Sequence, residues 1–223
     1  MRKKIKKIKK YKNKTNKQTN QTNMPKFSKT RQVLEENLNR ELVNKFNRVS
    51  KDNGRTEIKF DKGNTLIIKV AAKVAFTVEV SKKYKKSNPK LSITFSNPKT
   101  IEFFQSLEDR IVHGLDENIN LHKTVRTPKD SDYDKYLQVS VAQKKPGVSK
   151  VPIYLVGSEE PSYDLLNLER GMELSIFLRV EDYMWEMEGD ENKMSMGWSV
   201  QAEVIKVIGQ ADSYIDRSEQ CNF

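Results

Sequence analysis

Residues 171–208, GMELSIFLRVEDYMWEMEGDENKMSMGWSVQAEVIKVI, decide how the rest of this chain is read. From Leu174 the residues alternate. Leu174, Ile176, Leu178 and Val180 make one apolar row, and Ser175, Phe177, Arg179 and Glu181 make the other. Period two is the mark of a half-buried strand, because successive Cβ atoms point to opposite faces. If the strand continues unbroken, Tyr183 and Trp185 fall on the face of Phe177 and Arg179. The return strand sets Trp198, Val200, Ala202 and Val204 against Ser199, Gln201 and Glu203. Ile205 and Val207 then reverse the phase, which calls for a bulge near Val204. The mixed face, rings beside an arginine, has two readings: a platform for stacked bases with a cation for phosphate, or a second core layer.

Working upstream, the chain supplies short strands at 57–60, 65–70, 74–80 and 91–96, separated by turn signals at Asp61-Lys62-Gly63-Asn64 and Ser87-Asn88-Pro89. The connection before Leu91 carries Lys82, Lys83, Tyr84, Lys85 and Lys86, four cations around one ring. It suits either a solvated turn or the rim of a single-strand channel. Asn97-Pro98 opens a helix whose Ile101, Phe104, Leu107, Ile111 and Leu115 recur at helical spacing. Strands are expected again at 121–126, 136–142 and 151–156, with Lys144 and Lys145 in a second cationic connector. Many short strands with one inserted helix indicate a mainly β chain built as a small barrel or sandwich. Ahead of the strands, Leu34, Leu38, Leu42, Phe46 and Val49 predict an amphipathic helix over 30–50, its stripe lying on the domain or on a second copy of the chain.

The 223 residues are read as a basic tail over 1–23, one domain over 24–210 and a short, weakly acidic tail over 211–223. The net charge of +11 resides mostly in the first tail. Its ten Lys and Arg, taken from 41, leave 31 bases against 30 acids in the remainder. The binding case for the domain therefore rests on where charges cluster, not on the total. The tail is too polar to bury a core and is expected to be disordered; it reads as a localisation signal, a polyanion-binding arm or an upstream extension before Met24-Pro25.

Several function classes find no support. Cys221 is the one cysteine, which leaves no disulfide within a chain and points to an intracellular setting. No apolar run reaches membrane length, so no membrane association is expected. His113 and His122 form no zinc set, and the acidic turn Asp130–Asp134 is followed by Lys135 where a calcium loop needs glycine. No metal, cofactor or catalytic constellation is expected.

From Leu91 onward the chain resembles the replicative single-stranded DNA-binding proteins of tailed phages and their relatives in large DNA viruses. The residues that carry the likeness are Asn97-Pro98 leading into the helix with Phe103-Phe104, Leu107 and Ile111, then Val151-Pro152-Ile153 and Gly171. The strand from Leu174 to Trp185, Gly197-Trp198-Ser199 and a terminal Phe223 complete it. The resemblance implies an OB-fold that coats single-stranded DNA during replication or recombination in the host cytoplasm or nucleus. It also implies replication partners contacted through Phe223. Phe177, Tyr183, Trp185 and Trp198 are the expected stacking rings, with Tyr84 in the lysine-rich turn. Arg179, Lys82, Lys83, Lys85, Lys86, Lys144 and Lys145 are the expected phosphate contacts. The competing expectation is a virion or scaffold protein that assembles through the 30–50 helix, with homo-oligomers as its signature.

Overall fold

A computed structural model describes residues 30–52, 55–76, 78, 88–116, 119–128, 134–181, 184–188 and 194–209. The elements in chain order are β1 (Thr30–Leu34), α1 (Arg40–Asn44), β2 (Phe46–Ser50), β3 (Thr56–Phe60), β4 (Thr65–Phe76), β5 (Lys90–Thr94) and α2 (Pro98–Val112). Then come β6 (Asn120–His122), β7 (Val125–Arg126), β8 (Tyr136–Ser140), β9 (Gln143–Lys145), β10 (Val148–Tyr154) and β11 (Ser162–Asp164). β12 (Glu173–Val180), β13 (Trp185–Glu188), β14 (Met194–Gly197) and β15 (Val200–Gly209) complete the chain.

Five strands close on themselves. Around the ring the order is β4, β5, β8, β15, β12 and back to β4. Every neighbouring pair is antiparallel except β8 with β15, which run parallel. The chain is thus mainly β, as its patterning predicts, and of the barrel and sandwich that the patterning allowed it forms a closed five-strand barrel. Alternate residues fill the barrel: Ile68, Val70, Ala72 and Val74 from β4, Leu91 and Ile93 from β5, and Leu137 and Val139 from β8. Leu174, Ile176 and Leu178 from β12 join Val200, Ala202 and Ile205 from β15, all buried. The expected bulge exists. Phe177 pairs with Val204 while Leu178 pairs with Ala202, so Glu203 is the extra residue that resets the phase before Ile205.

Two strand expectations are corrected. Residues 65–76 form the single strand β4 and not two pieces, since Lys69, Ala71 and Lys73 keep facing out while Ile68, Val70, Ala72 and Val74 face in. Conversely, the strand from Leu174 stops at Val180. Trp185 begins β13 in a separate three-stranded sheet with β14 and β6, so its backbone does not continue the Phe177 face.

α2 fits its sequence signals: the Asn97 side chain accepts from the Lys99 N–H at 3.1 Å, Pro98 occupies the first turn, and Phe103, Phe104, Leu107 and Ile111 are buried. It connects β5 to β8 and packs on β8, β7, β2 and α1.

The expected helix over 30–50 is replaced by β1, a 3₁₀ turn over Glu35–Asn37, the five-residue α1, and β2. Two local competitors explain this. The Asn39 side chain accepts from Leu42 N–H at 3.0 Å and so starts a helix only at Arg40. Residues 30–34, for their part, pair in parallel with 65–69 on the edge of β4. Where β1 has ended and β5 has not yet begun, Glu35 fills the gap, its carboxylate accepting from Ala71 N–H at 3.0 Å and from the buried Thr100 hydroxyl. The leucine stripe is consequently divided: Leu42 and Phe46 are core, while Leu34 is 46% exposed. No continuous apolar helix face remains here for assembly with another copy.

Two arginines tie this N-terminal part to α2. Arg110 donates to the carbonyls of Phe46 at 2.7 Å and Asn44 at 3.2 Å, and Arg48 donates to the Ile111 carbonyl at 3.2 Å, near the end of α2. Charge-assisted bonds of this kind contribute about 1.5–3 kcal/mol. Arg110→Ala is therefore expected to cost about 2 kcal/mol and to raise amide exchange selectively in β2. Uniform exchange across the whole chain would contradict this assignment.

Candidate functional site

The outward residues on β5 and β8 make a polar and aromatic face of the barrel on which Ser92 and Ser140 are buried and Tyr136 and Gln138 half-buried. Across these strands Lys90 pairs with Ser140 and Ser92 with Gln138, while Ser92 also pairs with Phe76 at the end of β4 and Tyr136 pairs with Arg126 on β7. Leu91, Ile93, Leu137 and Val139 point inward, so these partners point away from the barrel interior by the alternation of the strands.

Phe76 and Tyr136 meet edge to face across β5, with ring centroids 5.2 Å apart. The residue between them, Ser92, has the small side chain that such an approach needs. Phe76 stays 40% exposed although it is an aromatic residue on a central strand. A phenylalanine in the open normally loses by staying out of the core. Its exposure here leaves a ring edge and face for a flat ligand.

Cations frame the pair. Lys90 donates to the Ser140 hydroxyl at 2.5 Å. Partial burial pulls its ammonium below the ordinary lysine value; the Glu181 carboxylate opposes that shift and the Arg126 guanidinium adds to it. The Nε of Arg126 is buried without a hydrogen-bond partner. Two cations near one carboxylate, partly withdrawn from water, interact more strongly with an anion than solvated lysines do.

The connections on either side carry the sequence features singled out above. The chain leaves the barrel after β4 at one end and after β12 at the other, because these strands are antiparallel neighbours. The first connection spans Lys82, Lys83, Tyr84, Lys85 and Lys86, which lie outside the described residues, and re-enters at Pro89, whose carbonyl accepts from Val141 N–H at 3.0 Å. The second includes Tyr183, also outside the described residues, and Trp185, of which only the backbone in β13 is described.

The other expected residues are distributed differently. Phe177 and Arg179 are half-buried on the outer face of β12, between β4 and β15 and away from β5. Lys69 Nζ lies 5.8 Å from the Phe177 ring centroid, and Arg179 is held by Glu203 at 2.5 Å and by Gln201 at 2.6 Å. Its guanidinium is thus already engaged by an acid and an amide on the neighbouring strand. Trp198 corrects the sequence expectation outright. It is 2% exposed, its indole N–H donating to Glu108 at 3.1 Å, and a ring so enclosed has no face for a base. Lys144 and Lys145 are exposed, but on strand β9 and not in the loop expected over 143–150, and Phe223 lies outside the described residues.

Sequence reading missed Phe76, Tyr136, Lys90 and Arg126 as site residues. A usable signal existed for one ring: Tyr136 is out of phase with Leu137 and Val139, so parity puts it outside, whereas Phe76 shares the parity of Val74 and Val78 and faces out only because the β4–β5 register shifts between Val74 and Phe76.

Among the described residues no group of three or more His, Cys, Asp or Glu is placed to hold a metal, and no helix is long and apolar enough to cross a membrane. No protein-family model matches the chain, and no curated protein matches it in sequence.

Proposed function

We propose that this chain is a noncatalytic single-stranded DNA-binding protein of a virus or phage, and that its barrel is an OB-fold. Numbered by chain order, the five barrel strands close as first, second, third, fifth, fourth, with the third and fifth parallel. An OB-fold is a five-stranded Greek-key barrel that takes oligonucleotides on its second and third strands and on the connections after the first and fourth. In this chain those parts are the β5–β8 face, the lysine-rich connection and the segment holding Tyr183 and Trp185.

The observation that carries the proposal is the Phe76–Tyr136 pair, Phe76 exposed and Tyr136 half-buried, set among Lys90 and Arg126 on that face. Rings take bases without regard to sequence and cations follow the phosphates, the combination that nonspecific single-strand binding uses. A single strand reaches both rings because its bases are unstacked and turned outward; a duplex hides them.

The test is fluorescence anisotropy of labelled oligo(dT), with the full chain and with a chain beginning at Met24, at low and moderate salt. Both proteins are expected to bind, to weaken with log-log slopes of roughly −0.7 per phosphate contacted, and to resist duplex competitor. Binding only by the full chain would assign the activity to the basic arm and overturn the proposal. Equal displacement by oligo(U) would widen the ligand to RNA.

A further inference from the structure

We infer that Tyr163 and Lys144 form a second base-stacking station beyond the end of β8, prolonging the single-strand path past the barrel; this rests on the DNA-binding reading above. Lys144 Nζ sits 5.0 Å from the Tyr163 ring centroid, while Tyr163 remains 38% exposed on the three-residue strand β11. The ring is steadied by a cation and still presents surface, which repeats at a separate place the pairing of ring and charge seen on β5 and β8.

The station continues the first one geometrically. Tyr136, Gln138 and Ser140 point away from the barrel interior, Tyr136 and Gln138 half-buried and Ser140 buried, and Leu137, Val139 and Val141 are core. The Val141 N–H to Pro89 carbonyl bond keeps the same antiparallel pairing one residue beyond β8. Ala142 packs against the core, and Lys144 then stands exposed on β9, at most about 26 Å from Tyr136 at the rise of an extended chain. β9 folds back through Gly147, whose φ of +81° makes the turn, into β10, and β10 holds β11 beside it. Lys145 and Lys150 are exposed on the same hairpin. A path of this length exceeds what a very short oligonucleotide spans and lies within the range of about 4–16 nucleotides that single barrels of this kind occupy.

Oligonucleotide length therefore separates the two stations. Full-chain protein carrying Tyr163→Ala, Tyr163→Phe or Tyr136→Ala would be titrated into labelled oligo(dT) of about 3 and about 15 nucleotides. Tyr163→Ala is expected to weaken the longer oligonucleotide about tenfold and leave the shorter one unchanged, Tyr163→Phe to bind both like the parent, and Tyr136→Ala to weaken both. Lys144→Glu should reproduce the length-selective loss. Parental binding of both lengths by Tyr163→Ala would overturn the second station and leave the barrel site standing, as would an equal loss at both lengths. No binding by the parent chain would overturn both readings.

Discussion

Tyr136→Ala is expected to weaken single-stranded DNA binding by about tenfold, and the double variant with Phe76→Ala to weaken it further but by less than about a hundredfold, at a stacking value of roughly 1–3 kcal/mol per base. The two rings touch at 5.2 Å, so the second substitution should add less than it does alone. Neither ring belongs to the barrel interior, and the fold should survive both changes, which urea unfolding of each variant would verify. Tyr136→Phe is the informative control, since it keeps the π face and loses only the hydroxyl. Its affinity should stay within about twofold of the parent if stacking carries the interaction. Unchanged affinity in the double variant, with an intact fold, would remove the β5–β8 face from the site.

Glu108→Ala is expected to cost about 3–5 kcal/mol of folding stability. The carboxylate projects from α2 into the core at 5% exposure and accepts from the N–H of Thr124 at 2.6 Å, the N–H of Val125 at 3.3 Å and the indole of Trp198 at 3.1 Å. Removing it orphans three buried donors and leaves a void beside Trp198. Glu108→Gln retains an accepting oxygen and should lose far less.

The pH dependence has a definite sign. Burial raises the Glu108 carboxyl above its ordinary value despite the bonds from Thr124, Trp198 and Val125 and the nearby Lys123. Between the ordinary and the raised value the folded chain holds a proton that the unfolded chain releases. That contribution to stability is complete below the ordinary carboxylate value and is lost as pH rises through the native one. Urea midpoints taken between about pH 5 and pH 8 should therefore show a declining component in the parent that Glu108→Gln abolishes. An identical slope in the two proteins would refute it.

How much of this was legible beforehand differs by element. The alternation in 174–180 and 200–207, the phase reversal that demanded a bulge, and the Asn97-Pro98 helix start are local properties, and each appears in the structure. The segment 30–50 was misread because its leucines satisfy a helical period while Asn39 and the free edge of β4 offer better partners. The site was legible only in part. Phe76 and Tyr136 are 60 residues apart in the chain and become neighbours only when β5 pairs with both β4 and β8.

By itself the sequence determined which residues alternate, where α2 begins and where charge accumulates, because backbone geometry imposes those periods within a few residues. Closure of the barrel, the burial of Trp198 against Glu108, the capture of Arg179 by Glu203 and the meeting of Phe76 with Tyr136 were decided by tertiary structure alone. Each depends on strand register and on which neighbour lies across a strand. Pairing between distant segments sets both, and a local pattern carries no record of its partner.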